Sequence, residues 1–176
     1  MYFKPILDID SEEFRCAWDL YESAFPADER RSLDSQVVLF NNKLYNFMVA
    51  IERDLIVGFL ATWRLNGFVF IEHFAVLEKL SNQGIGTKIL KRYISQINRV
   101  VLEVEKPENS LAKRRIGFYK RLGFCLNYFD GYVQPSYEAG KESVPMFLMT
   151  FPEEINGFDF QKIKSQIHRV VYGVKG

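Results

Sequence analysis

The feature that most constrains the fold is a change in the spacing of apolar residues between Tyr45 and Glu105. Three segments dense in β-branched and aromatic residues come first, at Tyr45–Glu52, Leu55–Leu65 and Phe68–Val76, and this composition predicts β-strands. Only Asn66-Gly67 separates the last two segments, and both residues tolerate the positive φ of a two-residue hairpin loop. We therefore predict an antiparallel meander.

A helix and a further strand follow the meander. Gly84 and Gly86 open the helix, in which Leu90 and Ile94 repeat at helical spacing. The run Arg99–Glu105 then predicts a strand. A strand, helix and strand in this order place the two strands in parallel. The sheet is therefore expected to be mixed and mostly antiparallel.

The same criteria predict the remaining elements. Strands are expected at residues 2–8, 124–129 and 144–151, and helices from Ser11, from about Ala27, from Ser110 to about Leu122 and over residues 159–171. These elements make an α/β (α+β) fold in which helices flank one sheet. With 176 residues, 48% of them hydrophobic, the chain can bury one core, and we predict a single domain over residues 1–176 with an appended C-terminal helix.

Charge and composition exclude several classes of protein. The net charge of +1 gives no overall field that would recruit nucleic acid or an anionic membrane. No apolar run approaches the 20 or so residues that cross a bilayer, and the N-terminus does not resemble a signal peptide. Cys16 and Cys125 lie far apart, which favours reduced thiols over a disulfide or metal site. We expect a cytoplasmic protein without a metal, and the sequence leaves open whether it forms a homodimer.

The glycine-rich helix start is a candidate anion site. A helix N-terminus has unpaired N–H groups and a positive dipole end, and glycines at Gly84 and Gly86 let an anion approach the backbone. Such a site suits a pyrophosphate. An ordinary turn and helix cap explains an isolated G-x-G equally well.

A second candidate segment is the helix that contains Tyr119. Ala112, Ile116 and Tyr119 share one face of this helix, so Tyr119 is expected to point toward the sheet or a cleft beside it. A plain core position is the alternative interpretation of an isolated tyrosine.

Together these segments resemble motifs A and B of the GNAT superfamily of N-acetyltransferases. In motif A, a strand ending in Ala75-Val76 is followed by Gln83-Gly84-Ile85-Gly86, which is similar to the family pattern Arg/Gln-x-x-Gly-x-Gly/Ala. In motif B, Phe118-Tyr119 and Leu122-Gly123-Phe124 are similar to Phe-Tyr-x-x-Leu-Gly-Phe. The first motif A position, usually Arg or Gln, is Ser81 here.

The resemblance implies a GNAT fold, with a sheet splayed between its fourth and fifth strands, and acetyl-CoA as acetyl donor. The fourth strand would pair with the pantetheine arm, and the motif A loop would wrap the pyrophosphate. Asn109 resembles the asparagine of motif B, although a helix N-cap is an equally good role for it. The cofactor-binding residues implied are Phe74, Ala75, Val76, Ser81, Asn82, Gln83, Gly84, Ile85, Gly86, Thr87, Lys88 and Asn109.

The expected reaction needs a base, because an alkylamine is mostly protonated at pH 7 and an ammonium cannot attack a thioester. Glu72 interrupts a strand face shared with Phe70, Phe74 and Val76, and GNAT enzymes often use a glutamate on this strand, so we predict Glu72 as general base. A paired or solvated carboxylate is the alternative. His73 is expected on the opposite face. By resemblance to motif B, Tyr119 would protonate the leaving thiolate or hydrogen-bond to it.

The acceptor is expected to be a primary amine of a small molecule or peptide. Glu29, Glu103 and Tyr132 are the candidate acceptor-binding residues, and solvated or packed side chains would explain them nearly as well. Two other functions stay open. One is a dinucleotide-binding domain, for which the third glycine is replaced by Ile89. The other is a non-catalytic GNAT-like module that binds CoA or a protein.

Overall fold

The computed structural model describes residues 1–174 and consists of one sheet with helices on both faces. The strands are β1 (Tyr2–Pro5), β2 (Tyr45–Glu52), β3 (Leu55–Leu65), β4 (Phe68–Val76), β5 (Val100–Glu105), β6 (Cys125–Asn127), β7 (Val133–Gln134) and β8 (Val144–Phe151). The helices are α1 (Glu12–Ala24), α2 (Leu33–Leu39), α3 (Ile85–Ile94), α4 (Ser110–Arg121) and α5 (Gly157–Gln166), and a π-helical turn at Ile167–Val171 continues α5.

The strand order confirms the mixed, mostly antiparallel sheet. Strands run β1-β2-β3-β4-β5-β8-β6, with β7 paired to β8 off this path. All pairs are antiparallel except β4 and β5, which α3 connects as a parallel crossover. The meander is present as predicted.

The turns of the meander differ in detail from the prediction. At Asn66-Gly67 only Gly67 has a positive φ, of 88°, so this hairpin loop does not need two left-handed residues. Between β2 and β3, Arg53 and Asp54 both have positive φ, of 50° and 60°, the pattern of a type I′ turn. Neither residue is a glycine, and for that reason the sequence did not mark this turn.

Helices cover each face of the sheet because each strand has apolar residues on both sides. One face packs against α3 and α4, where Leu60 and Val104 of the sheet and Ile89 of α3 are buried in one cluster. The other face packs against α1 and, farther along the sheet, against α5. The predicted second helix is two pieces, a 3-10 turn at Ala27–Glu29 and α2 from Leu33.

The C-terminal helix packs against the sheet. Phe160 and Ile163 of α5 and Ile167 of the π-helical turn are each at most 3% exposed, in one cluster with Trp63 and Val101. This part of the chain therefore contributes to the core that supports β4 and β5. None of the helices in residues 1–174 is long and apolar enough to cross a membrane.

Candidate active site

The candidate site lies where β4 and β5 separate. The two strands are paired only from Val69↔Val100 to Ile71↔Leu102, whereas β4 continues to Val76 and β5 to Glu105. Beyond Ile71 the edges of both strands are free to line a cleft. The splay predicted between the fourth and fifth strands is therefore present.

A β-bulge at the start of the splay decides where the side chains of β4 point. Ala61 pairs with His73 and Thr62 with Ile71, so Glu72 is the extra residue on β4. Glu72 and His73 consequently lie on one face, with Nδ1 of His73 3.9 Å from Oε2 of Glu72. The predicted strict alternation was wrong here: Phe74 packs on the other face, against the α3 and α4 side, and His73 does not oppose Glu72.

Glu72 is held in a buried ion pair. Its side chain has no exposed surface; Oε1 accepts a hydrogen bond from Nη1 of Arg31, and Oε2 accepts one from Nε1 of Trp63 at 2.9 Å. Nη2 of Arg31 also donates to the carbonyl oxygen of Val171 at 3.0 Å. The carboxylate therefore joins the start of α2, the bulge and the C-terminal turn.

An open groove of about 560 Å³ lies between the end of β4, the motif A loop and α4. Its walls include Phe74 and Val76 of β4. At its end α3 begins after Gly84, which has a φ of 77° and no side-chain cap. Lys88 N–H is the first to bond back, to the carbonyl of Gly84 at 3.0 Å, so the earlier N–H groups of α3 have no helical acceptor.

These N–H groups suit an anion. A Cβ added at Gly84 would meet no atom within 4 Å, so the ligand side of this residue is open. At Gly86 a Cβ would touch Val76, Phe118 and Phe74 at 3.4 to 3.6 Å, so a glycine at this position adds no side-chain atoms to the groove. The helix start and groove fit the pyrophosphate and pantetheine of acetyl-CoA.

The predicted cofactor-binding residues fall into two groups. The groove is lined by Phe74, Val76, Ser81, Asn82, Gly84, Gly86 and Thr87. The other five do not line it. Ala75 packs on the opposite face of the sheet, and Ile85 packs into the core. Gln83 donates to the carbonyl of Lys79 at 2.9 Å, Lys88 pairs with Glu52, and Asn109 caps α4 by accepting from Ala112 N–H at 2.9 Å.

Three arginines of α4 line the same groove, namely Arg114, Arg115 and Arg121. Arg114 donates to Oδ1 of Asn82 and thereby braces the motif A loop. The arginines lie in a basic run whose ordinary interpretation is a solvated helix face. Only the packing of α4 beside the loop directs them toward an anion.

A smaller cavity of about 110 Å³ occupies the splay itself. Tyr119 lines it, and its ring packs against Phe118 and Phe124 at centroid distances of 5.2 and 5.6 Å. Burial raises the pKa of Tyr119 to about 12, and no residue among those described hydrogen-bonds to its hydroxyl. Phe74 and Arg115 line both the cavity and the groove, so the two spaces adjoin.

The cavity walls carry four carboxylates, of which Glu103 is the one in an unusual state. Its Oε1 accepts a hydrogen bond from the hydroxyl of Tyr132, and its Oε2 accepts one from Tyr172 at 2.7 Å. Burial nevertheless raises the pKa of Glu103 to about 7. A carboxylate in this state can take a proton near neutral pH.

The other carboxylates differ in environment. Burial, then the nearby Glu105, raises the pKa of Glu29 above its usual range. Glu105 pairs with Nη1 of Arg115 at 2.8 Å. Burial lowers the pKa of His73 to about 4, so the ring is neutral, and its Nε2 donates to the carbonyl oxygen of Glu29 at 2.8 Å. The balance of charge in the cavity is therefore negative.

Tyr172 and Gln134 are further residues of the site that were not singled out from the sequence. Tyr172 follows the last helical turn, and Gln134 lies on the two-residue strand β7, inside a segment predicted as loop. Gln134 lines the cavity and is 3% exposed. Nothing in its local sequence distinguishes it, because its burial comes from the pairing of β7 with β8.

Comparisons with known proteins agree with this geometry. Residues 43–125 match the family model described as an acetyltransferase (GNAT) domain. A GNAT-family protein from Bacteroides thetaiotaomicron is 34% identical, with 99% of this chain and 100% of that chain covered and a TM-score of 0.93. No curated protein is similar enough in sequence to count as a match.

Two more distant structures share the fold. The ribosomal-protein-S18-alanine N-acetyltransferase from Escherichia coli is 18% identical, with a TM-score of 0.60 and coverage of 89% of this chain and 96% of that chain. A GNAT family acetyltransferase from Elizabethkingia anophelis with acetyl-CoA bound is 23% identical, with a TM-score of 0.57 and coverage of 85% and 95%.

Proposed function

The chain belongs to the GNAT family of acetyltransferases, and on that premise we propose that it transfers the acetyl group of acetyl-CoA to a primary amine. The observation that carries this proposal is the meeting of two spaces at Phe74 and Arg115. One is a groove with a helix N-terminus and arginines, and the other is a negatively charged cavity that contains Tyr119.

The groove would hold the donor. The uncapped N–H groups at the start of α3 and the guanidinium of Arg114 would bind the pyrophosphate. The free edge of β4 from Phe74 to Val76 would pair with the pantetheine arm, as a strand pairs with a sheet edge. The thioester would then lie at the mouth of the cavity. The structure of the Elizabethkingia relative contains bound acetyl-CoA, which supports this donor.

The cavity would hold the amine, which arrives as an ammonium and is attracted by the carboxylates. Glu103 takes one proton from it. When acetyl-CoA is bound it supplies the thioester carbonyl, at which a C–N bond forms as the C–S bond breaks. Tyr119 donates its proton to the departing sulfur, and the phenolate recovers a proton from the nitrogen as the amide forms. Glu103 finally releases its proton to solvent.

Glu103 suits the base better than Glu72 does. The side chain of Glu72 has no exposed surface and is held in a buried ion pair with Arg31. Glu103 lines the cavity and has a pKa of about 7, close to the value at which a general base is most effective. In this assignment Glu72 positions the bulge through Arg31.

Release of free thiol from acetyl-CoA over a panel of amines tests the proposal. We expect amine-dependent thiol release, with stoichiometric N-acetylated product by mass spectrometry. CoA should also raise the thermal midpoint, because a ligand that binds only the native state stabilises it. A thermal shift with CoA and no thiol release with any amine would instead favour the non-catalytic CoA-binding module. A rise in the thermal midpoint with NAD but not with CoA would overturn both the acetyltransferase and the CoA-binding module.

A further inference from the structure

The side-chain nitrogen of Gln134 is buried and has no partner within residues 1–174. Its side chain is 3% exposed, it lines the cavity beside Glu103 and Tyr119, and its Nε2 has no hydrogen-bond partner among the residues that the structure describes. A buried N–H left unpaired costs free energy. Most buried side-chain amides avoid this, as Gln36 does by donating to the hydroxyl of Tyr45 at 2.8 Å.

The backbone holds Gln134 firmly in this position. Gln134 is paired with Val144 across β7 and β8, and two residues earlier the carbonyl oxygen of Tyr132 accepts from Met146 N–H at 3.2 Å. On its other edge β8 pairs with β5, where Glu103 lies opposite Leu148. The amide and the carboxylate are thus fixed by one common strand.

We infer that Gln134 recognises an oxygen of the acceptor, and that the acceptor is an α-amino amide, meaning a primary amine with a neutral carbonyl next to the carbon that carries the nitrogen. This inference rests on the proposed acetyl transfer. The free N–H of Gln134 requires a hydrogen-bond acceptor on the ligand. Such an oxygen completes the site, because the amine goes to Glu103 and the carbonyl to Gln134.

The size of the cavity restricts the separation of the two groups. Its volume is about 110 Å³, which leaves room for only a few heavy atoms. The oxygen must therefore lie within two or three bonds of the amine. An α-amino amide meets this requirement, whereas a long diamine has no oxygen that could accept a hydrogen bond from Gln134.

The charges of the cavity require the oxygen to be neutral. Four carboxylates line it: Glu105 is paired with Arg115 at 2.8 Å and Glu72 with Arg31, whereas Glu29 and Glu103 have no cationic partner among the described residues. A free amino acid would bring its own carboxylate among these groups, and like charges at close range repel. An amide carbonyl avoids this repulsion.

Three small acceptors test the inference on the wild-type protein. Alaninamide has the amine and the neutral carbonyl, 3-methylbutan-2-amine has the same shape without the oxygen, and alanine has a carboxylate. We expect the highest kcat/KM for alaninamide, at least about 10-fold above that for alanine. A kcat/KM for alanine equal to or above that for alaninamide would overturn the inference, while thiol release with either one would still support acetyl transfer.

The variant Gln134→Leu isolates the contribution of the amide. The quantity measured is the ratio of kcat/KM for alaninamide to kcat/KM for 3-methylbutan-2-amine. The two amines differ in basicity, but this difference affects the ratio equally in the variant and in the wild type. We expect this ratio to fall about 10-fold or more in Gln134→Leu. An unchanged ratio in folded protein would overturn the inference.

Gln36→Leu is the matched control, since it also removes a buried amide but lies outside the cavity. It should lower the thermal midpoint, because it leaves the hydroxyl of Tyr45 without its donor, and it should keep the ratio. Gln134→Leu should not lower the midpoint, since the N–H it removes has no partner.

A tetrapeptide that begins with alanine then distinguishes two possible acceptors that share an α-amino amide, a protein N-terminus and a small amino amide. A kcat/KM comparable with that of alaninamide assigns a protein N-terminus, and a much lower value assigns a small amino amide.

Discussion

Replacing Glu103 by Gln tests the central step of the proposed mechanism, and the pKa of this residue sets the magnitude. With a pKa of about 7, the carboxylate is half ionised at pH 7 and roughly one-tenth ionised at pH 6. If Glu103 takes the proton from the ammonium, kcat/KM should rise about 10-fold per pH unit below 7 and then level off. At pH 7 Glu103→Gln should lower kcat/KM by about 10² to 10⁴-fold.

The shape of the pH profile distinguishes a base from a binding residue. Without a base, only the free amine reacts, and its fraction keeps rising until the pH reaches the amine pKa of about 10. The profile of Glu103→Gln should therefore continue to climb above pH 7, where the wild-type profile is flat. A variant that had lost only an electrostatic contact would show a higher KM and a profile that stays flat above pH 7.

Tyr172→Phe provides a matched perturbation of the same carboxylate. The hydroxyl of Tyr172 donates to Oε2 of Glu103 at 2.7 Å, and this bond favours the ionised form and lowers the pKa of Glu103. Its loss should move the inflection of the pH profile upward by about one unit. The rate should then fall about 5-fold at pH 7 and recover by pH 9. The pH profiles are measured by stopped-flow detection of free thiol, under conditions where chemistry limits turnover. An inflection that stays near pH 7 in both variants would refute the assignment of Glu103.

Three further predictions concern other parts of the molecule. Tyr119→Phe should keep CoA affinity and the thermal midpoint while lowering kcat by about 10- to 1000-fold, since only the hydroxyl is lost; wild-type turnover would remove Tyr119 from the mechanism. Gly84→Asp should abolish CoA binding by calorimetry in a folded protein, because a carboxylate would face the pyrophosphate, and an unchanged affinity would contradict the placement of the donor. Arg31→Met should lower the free energy of unfolding in urea by about 3 to 5 kcal/mol, because it leaves Glu72 buried without a counter-charge. The control Lys88→Met, which breaks an exposed ion pair, should change it little, and equal effects of the two would disprove the burial argument.

The sequence was informative wherever a local rule decides the structure. The strands β2, β3 and β4 were predicted at their observed bounds, because β-branched and aromatic residues fill them and short turns separate them. The glycines at 84 and 86 marked the start of α3, since few other residues allow a backbone open to an anion. The motifs that contain Tyr119 and Gly84 also identified the family, which the comparisons confirmed.

The tertiary structure decided what depends on contacts between distant segments. The bulge at Glu72 appears only when β4 is aligned with β3, and it places this residue, which the sequence favoured as general base, in a buried pair with Arg31, 41 residues away. Burial raises the pKa of Glu103 to about 7, although the hydroxyls of Tyr132 and Tyr172, which reach it from later in the chain, lower it. Gln134 has no local signature, and it faces the cavity because β8 holds β7 in place. Burial and charge at one point are sums over many chain segments, so a pattern within one segment cannot determine them.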